Sequence, residues 1–350
     1  MKNEYGNPAL YNLPFKVDSF NGMPYRRLGN TGLNVSNVGL GTWKIGYPEA
    51  GDGSRVDEAT AFAIFDLAVE LGVTFWDTAN RYNNASGNSE RIIGKWLKSN
   101  PSQRRNIVLA TKLSGTMDGN TPNHCGLSRA NILEALYRSL DRLQVDCIDL
   151  LYFHSFDGET PIEESLSAIE DAVGRDLIRY FAVSNFNVSQ LKAYLDCGTR
   201  FTVRSRIAAV QNQFDVLAGE AADYAGTRAM AEEQGISYIA WSPLARGLLT
   251  GRYLDGAKIG PGDRLYDEQS LDKAANTEAM AKVRKLAALA TAWDMQLNEL
   301  IIAYMLRIPG MGPVIPSSST PDQLRSNAKG GKIALTDTQQ DAIRAILTGA

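Results

Sequence analysis

Short apolar runs alternate with stretches whose apolar positions recur every three to four residues, and this pattern predicts the architecture of the 350-residue chain. The runs Val73 to Trp76, Ile107 to Thr111, Cys147 to Phe153, Ile178 to Val183, Ile207 to Val210, Ile236 to Ala240 and Val314 to Ile315 read as buried strands. Between them, Ala61, Ile64, Phe65, Ala68 and Leu71 share a helical face closed by Gly72. Ile92, Ile93, Trp96 and Leu97 share another, and Ile132, Leu136, Leu140 and Leu143 a third behind the cap Ser128. Further helices are predicted from Pro161 to Val173, Val188 to Leu195, Thr227 to Gln234, Glu278 to Trp293 and Asn298 to Arg307. With a strand at Val38 to Trp43, about eight strand-then-helix units span residues 35–330, which predicts an α/β protein built as a closed (β/α)8 TIM barrel. Ahead of it, Tyr25 to Leu28 and Leu33 to Val35 flank a Gly-containing turn and predict a β-hairpin. An open doubly wound sheet is the alternative, but no G-x-G-x-x-G stands between the first strand and helix.

Composition narrows the class. An apolar content of 44% can supply one large core, so residues 23–350 are expected to form a single domain. The segment 1–22, polar and aromatic with Pro8 and Pro14, lacks the apolar centre of a signal peptide and is expected to be an arm lying on the barrel or on a neighbouring copy. No apolar run approaches the roughly 18 residues of a membrane span. A formal charge of −3 gives no electrostatic reason to expect nucleic acid or a membrane surface, which leaves a small-molecule partner, with a homo-oligomer open. Cys125, Cys147 and Cys197 form no disulfide framework or metal spacing, and a cytoplasmic setting is expected. With only His124 and His154 present, no metal site is expected.

In such barrels the ends of the strands carry the chemistry. Asp77, Lys112 and His154 follow predicted strands, and Tyr82 lies in the loop after Asp77, so all four should converge on one sector of the barrel mouth. A tyrosine has an ordinary pKa of about 10, and a nearby ammonium is expected to lower it. Lys112 could supply that charge, Asp77 could keep the lysine protonated, and His154 could orient a carbonyl oxygen. A Schiff-base role for Lys112 in a barrel lyase competes with this reading. The segment Gly260 to Tyr266 lies in a connection long enough to be a lid.

These residues carry a resemblance to the aldo-keto reductases over about Tyr25 to Asn327. Asp77-Thr78-Ala79 with Tyr82 and Gly87-Asn88-Ser89-Glu90 resembles the first signature of that family, and Ala110-Thr111-Lys112 its third-strand lysine. Gly126-Leu127-Ser128, Leu143 to Leu150 and His154 are similar to the second. The run Trp241-Ser242-Pro243-Leu244-Ala245-Arg246-Gly247 resembles the branch containing potassium-channel β subunits and bacterial sugar or aldehyde reductases. The resemblance implies an oxidoreductase that moves hydride between NADP(H) and an aldehyde, ketone or sugar, with Tyr82 as general acid/base and NAD(H) as the alternative cofactor. It implies cofactor contacts from Gly41, Thr42 and Trp43, from Ser184, Asn185 and Gln211 to the carboxamide, and from Trp241 to the nicotinamide ring. Ser242 and Leu244 match the pyrophosphate loop, Arg252 and Arg264 the cations over a 2′-phosphate, and Ser317, Ser319, Gln323 and Asn327 the adenine end. Ser317 stands where many relatives carry glycine, Ser319 where they carry arginine, and Ser326 where a glutamate is common. A cofactor-sensing regulatory protein with slow catalysis is the other function the resemblance implies, although channel β subunits tend to lack a histidine where His154 stands.

Overall fold

Side chains alternate across a strand, so a barrel strand sends every second residue inward and the others out to the helices. The computed structural model describes residues 12–201, 206–254, 258–274 and 277–349, leaving aside the side chains of residues 273, 274 and 277. Its strands are β1 (Ser19–Phe20), β2 (Met23–Arg27), β3 (Asn34–Ser36), β4 (Gly39–Gly41), β5 (Phe75–Asp77), β6 (Val108–Leu113), β7 (Ile148–Phe153), β8 (Ile178–Ser184), β9 (Ile207–Asp215), β10 (Gly219–Glu220), β11 (Ser237–Trp241) and β12 (Met311–Ile315). Eight of them run parallel in the order β4-β5-β6-β7-β8-β9-β11-β12, with helices between, and the parallel bridges Val38 to Val314 and Gly41 to Ser317 bring the first strand beside the last. This is the expected (β/α)8 barrel.

The cluster filling the barrel is Phe75, Ala110, Leu150, Tyr152, Ala182, Ala209, Ile239 and Ile315, with Ala208 added where the β8–β9 register shifts, and Leu28 and Val35 of the hairpin join it. The β1-β2-β3 sheet is therefore a plug packed against the barrel interior, which is why Leu28 and Val35 are fully buried. The outward residues meet the helices in a second, larger core. Trp76 stacks on Phe65 at 4.7 Å and lies 5.0 Å from Trp96, so three rings tie β5 to helices Glu58–Glu70 and Asn88–Ser99.

Four details differ from the sequence reading. Lys112 lies inside β6 rather than past its end, because the in-out alternation continues through Leu113. Strand β9 runs past Gln211 to Asp215, where it gains β10 as a hairpin partner, so the connection at Phe214 to Leu217 is strand and tight turn. Helix Asp337–Thr348, capped by Thr336, lies beyond the eight units read from the pattern, and helix Pro321–Gly330, capped by Thr320, completes the last of them without having been read from the periodicity. Of the expected arm, residues 1–11 lie outside the described residues, while Ser19–Phe20 is already part of the plug sheet.

Behind β6, Glu90 is fully buried and accepts hydrogen bonds from Thr111 Oγ1 at 2.5 Å and from Arg142 Nε at 2.7 Å. Arg142 also donates to both oxygens of Asp118 at 2.8 and 3.0 Å. Holding Thr111 outward fixes the parity that turns Lys112 inward. Removing one member of such a buried pair leaves the other uncompensated, at a cost of about 3–5 kcal/mol. Arg142→Met is accordingly expected to lower the urea midpoint by that amount of stability at unchanged slope. A loss below about 1 kcal/mol would show the network to be idle.

Candidate active site

Moving two residues along each strand from the inward core positions reaches its next inward residue, at the C-terminal mouth. Phe75 leads to Asp77, Ala110 to Lys112, Ala182 to Ser184, Ala209 to Gln211, Ile239 to Trp241 and Ile315 to Ser317. The polar layer thus follows from strand parity, with apolar side chains filling the barrel beneath it. Asp77, Tyr82, His154, Ser184, Asn185, Gln211, Trp241 and Ser317 line one cavity of about 1000 Å³ at this mouth, and Lys112 is buried behind them.

Lys112 Nζ donates to Asp77 Oδ1 at 2.5 Å, to the Thr78 carbonyl at 3.0 Å and to Tyr82 Oη at 2.8 Å. Three donors meet three acceptors, and that satisfies an ammonium removed from water. Gln211 Nε2 donates to Asp77 Oδ2 at 2.9 Å, so the carboxylate is held at both oxygens. Tyr82 is presented by a short bent segment in which Asn83, Asn84 and Ala85 all have positive φ, and Asn83 anchors it by donating to the Ile45 carbonyl at 2.7 Å. Asparagine tolerates that conformation better than most residues. The His154 ring stands edge-on to Tyr82, with centroids 6.1 Å apart.

Burial lowers the Lys112 pKa from its ordinary value, and the Asp77 carboxylate opposes that shift. The Tyr82 phenol is pushed well above its usual range by burial first and then by the negative charge of Asp77. This corrects the expectation of an acidified phenol: the carboxylate lies close enough to cancel the ammonium, and the phenol keeps its proton. His154 is pushed down to about 3 by burial, with the positive charges of Lys112 and Arg81 adding to the effect. Its ring is neutral at physiological pH.

On the neighbouring strands, Ser184 Oγ donates to the Gln211 carbonyl at 2.8 Å, Asn185 Nδ2 to the His154 carbonyl at 2.8 Å, and Trp241 Nε1 to Asn185 Oδ1 at 3.0 Å. These bonds lock a wall of four strand ends into one arrangement. Beyond Trp241, Ser242, Ala245, Arg246 and Gly247 have positive φ, and the Ala245 and Gly247 amides donate to the Ser242 and Leu244 carbonyls, so the chain turns sharply at the cavity wall. The Ser242 hydroxyl is buried there without a hydrogen-bond partner in the structure. The cavity continues past Leu244, Arg252 and Arg264 to Ser319, Gln323 and Asn327. The lining would suit a dinucleotide: an aromatic side chain at Trp241, a sharp bend with the unpaired Ser242 hydroxyl, and a far end rich in guanidinium, amide and hydroxyl groups.

Of the residues singled out in the sequence, Gly41 and Trp43 also face this space, whereas Thr42 does not. The Thr42 hydroxyl donates to the Asp77 carbonyl and accepts from Ser89, so it braces the strand end from behind. Gln323 Oε1 accepts from the Ser319 amide at 2.8 Å and thereby shapes its own loop. Sequence reasoning missed Lys44, Arg55, Asp263, Glu268, Gln296 and Asn298, all in the cavity wall. Only the proximity of Asp263 to Arg264 in an already suspected lid could have signalled one of them. The described residues hold no group of His, Cys, Asp or Glu suited to a metal ion.

A model of the aldo/keto reductase family matches residues 37–348. A probable voltage-gated potassium channel subunit beta of Arabidopsis thaliana is 30% identical over 88% of this chain and 90% of its own length. A protein of the same description from Oryza sativa is 29% identical over 93% and 97%. An uncharacterized oxidoreductase, YqkF, of Bacillus subtilis is 31% identical over 87% and 90%.

The depressed His154 pKa has a consequence in solution. Between about pH 6.5 and 3 the unfolded chain binds a proton at this ring that the folded chain does not, so folding stability falls as pH drops through that window. Imidazole NMR shifts of His154 are expected to stay constant from about pH 8 to 5. A titration midpoint near 6.5 would show that burial does not control this ring.

Proposed function

The chain belongs to the aldo/keto reductase family, and we propose that it reduces a carbonyl compound with NADP(H), Tyr82 delivering the proton to oxygen. The observation that carries this reading is the bonded set Asp77, Lys112 and Tyr82 at the mouth, with His154 beside the phenol. When bound, the cofactor supplies the hydride. Trp241 offers a face for a planar ring, and Ser184, Asn185 and Gln211 stand around it with amide and hydroxyl groups. The unpaired Ser242 hydroxyl and the turn after it would take the pyrophosphate, and Arg252 and Arg264 would take the 2′-phosphate.

Neutral His154 can donate one ring N–H to the carbonyl oxygen and so hold it within reach of the phenol. A carbonyl oxygen that gains negative charge on reduction is far more basic than a phenolate, so even a phenol with a raised pKa would give up its proton to it readily. Lys112 then faces the phenolate at hydrogen-bond distance, which stabilises the charge as it forms. The acid is therefore fully loaded at neutral pH and becomes strong only relative to the product. Alcohol oxidation, which needs the phenolate first, is disfavoured by the same shift.

A second reading takes its support from the two plant relatives named as channel subunits: a nucleotide-binding subunit that turns over slowly. The complete proton-delivery set favours the enzyme. A Schiff-base role for Lys112 is disfavoured because its amine is engaged in three hydrogen bonds, one of them to the Asp77 carboxylate.

Single-turnover oxidation of NADPH by a panel of aldehydes tests the reading. Tyr82→Phe is expected to slow turnover about 10²–10⁴-fold while cofactor dissociation constants stay within about threefold. Undiminished turnover in this variant would remove Tyr82 from the reaction. Reduction is also expected to be flat from about pH 6 to 9 while alcohol oxidation climbs across that range. Parallel profiles in the two directions would contradict a phenol held protonated.

A further inference from the structure

The arginines at the far end of the cavity are already engaged. Arg252 meets Asp263 side-on: Nε pairs with Oδ1, and Nη2 donates to Oδ2 at 2.7 Å and to the Lys258 carbonyl at 2.7 Å. Arg264 donates to Glu268 at 2.8 Å and lies over the Trp43 ring at 4.5 Å. Arg55 pairs with Asp267 at 2.5 Å, and Arg246 reaches Glu268 at 3.4 Å. One short segment, residues 263–268, thus sets three carboxylates against four guanidiniums.

We propose that Asp263 is a specificity-determining residue that sets the choice between NADP(H) and NAD(H) by occupying, with its carboxylate, the guanidinium edge that a 2′-phosphate would take. The inference rests on the dinucleotide reading above and goes beyond it, since that reading counts Arg252 as a free cation. Carboxylate and phosphate present oxygens to the guanidinium fork with the same geometry, so they compete for one edge. A phosphate monoester carries a charge of about −1.5 to −2 at pH 7 and would also be repelled by a carboxylate left nearby.

Asp263 is the partner that cannot step aside easily. Its side chain is 10% exposed, and Oδ2 also accepts from the Gly260 amide at 2.9 Å. Glu268 is longer, 31% exposed and joined to Arg264 across one helical turn, so rotation about its side-chain bonds frees that arginine. Besides Lys44 and Asp322, the wall at this end presents the uncharged amide and hydroxyl groups of Gln296, Asn298, Ser319 and Ser326. Such groups suit the bare ribose hydroxyls of NAD(H) as well as they suit the phosphorylated form.

Calorimetric titration of the full chain with NADPH and with NADH, substrate absent, tests this directly. The unaltered protein is expected to bind both, with dissociation constants within about tenfold of each other. Asp263→Asn is expected to tighten NADPH about tenfold and to move NADH less than threefold, and adding Arg252→Met to that variant is expected to remove the gain. Equal shifts for both nucleotides would reduce Asp263 to a support of the lid and overturn the proposal, as would weakened NADPH binding, which would make it a positioning partner of Arg252. Thermal unfolding of each variant separates these outcomes from loss of the fold: a variant already unfolded is replaced by Asp263→Ser, held to the same criteria. Failure of the unaltered chain to bind either nucleotide would instead overturn the cofactor reading itself.

Discussion

Everything at the mouth depends on one buried ion pair. Lys112 and Asp77 have side chains only 1% and 4% exposed, and neither charge could remain there alone. Desolvating two ions is costly, so the surrounding strands supply the compensation: the Thr78 carbonyl and Tyr82 oxygen complete the ammonium, and Gln211 completes the carboxylate. A nonpolar pair would pack the same space at lower cost, so stability gives no reason for these residues. What the pair provides is position: a phenol oxygen held at 2.8 Å from a fixed positive charge, inside an apolar barrel that weakens screening.

That placement is set up by residues that never enter the cleft. Thr111 and Lys112 are neighbours on one strand and must face opposite ways, so the Glu90 bond to Thr111 is at the same time a constraint on Lys112. Gly94 belongs to the same arrangement, because a Cβ there would lie 2.2 Å from the Arg142 carbonyl and push the two helices apart. The plug has an equivalent requirement at its edge. Gly72, with φ +76, passes the Phe20 carbonyl so closely that a Cβ would stand 2.0 Å from it, so the hairpin seats only against a residue without a side chain.

The barrel and the strand-end residues were legible in the sequence because both follow from period-two alternation, which is local and needs no knowledge of partners. Asp77, Lys112, Ser184, Gln211 and Trp241 all lie on the inward parity that the pattern gives. Thr42 came from the resemblance alone, and the structure places it behind the strand end, bonded to the Asp77 carbonyl rather than facing the cavity. The direction of the Tyr82 pKa shift was misread because a cation and an anion near one phenol act with opposite signs, and only distances and burial decide between them. The pairing of Arg252 with Asp263 was invisible because it joins residues eleven apart across an irregular loop, where no periodicity applies.

The two ends of the cavity are held by different physics. At the reacting end, Asp77 and Lys112 are buried on strands that cannot move without breaking the barrel, and Lys112 holds Tyr82 from the segment beside them, so this geometry is in place before any ligand arrives, as electrostatic catalysis requires. At the far end the ion pairs are solvent-exposed, the Arg252 side chain to 47%, and exposed pairs contribute about 0–1 kcal/mol each and weaken with salt. The Glu268 pairs can exchange one anion for another at little cost, whereas Asp263, tied also to the Gly260 amide, stays with Arg252. A segment joined by several weak pairs can hold its shape and still yield to a ligand that carries better-placed charges, whereas a single strong buried pair could not. The division suits a site that must keep a proton donor fixed through each turnover while it admits and releases a long, charged molecule.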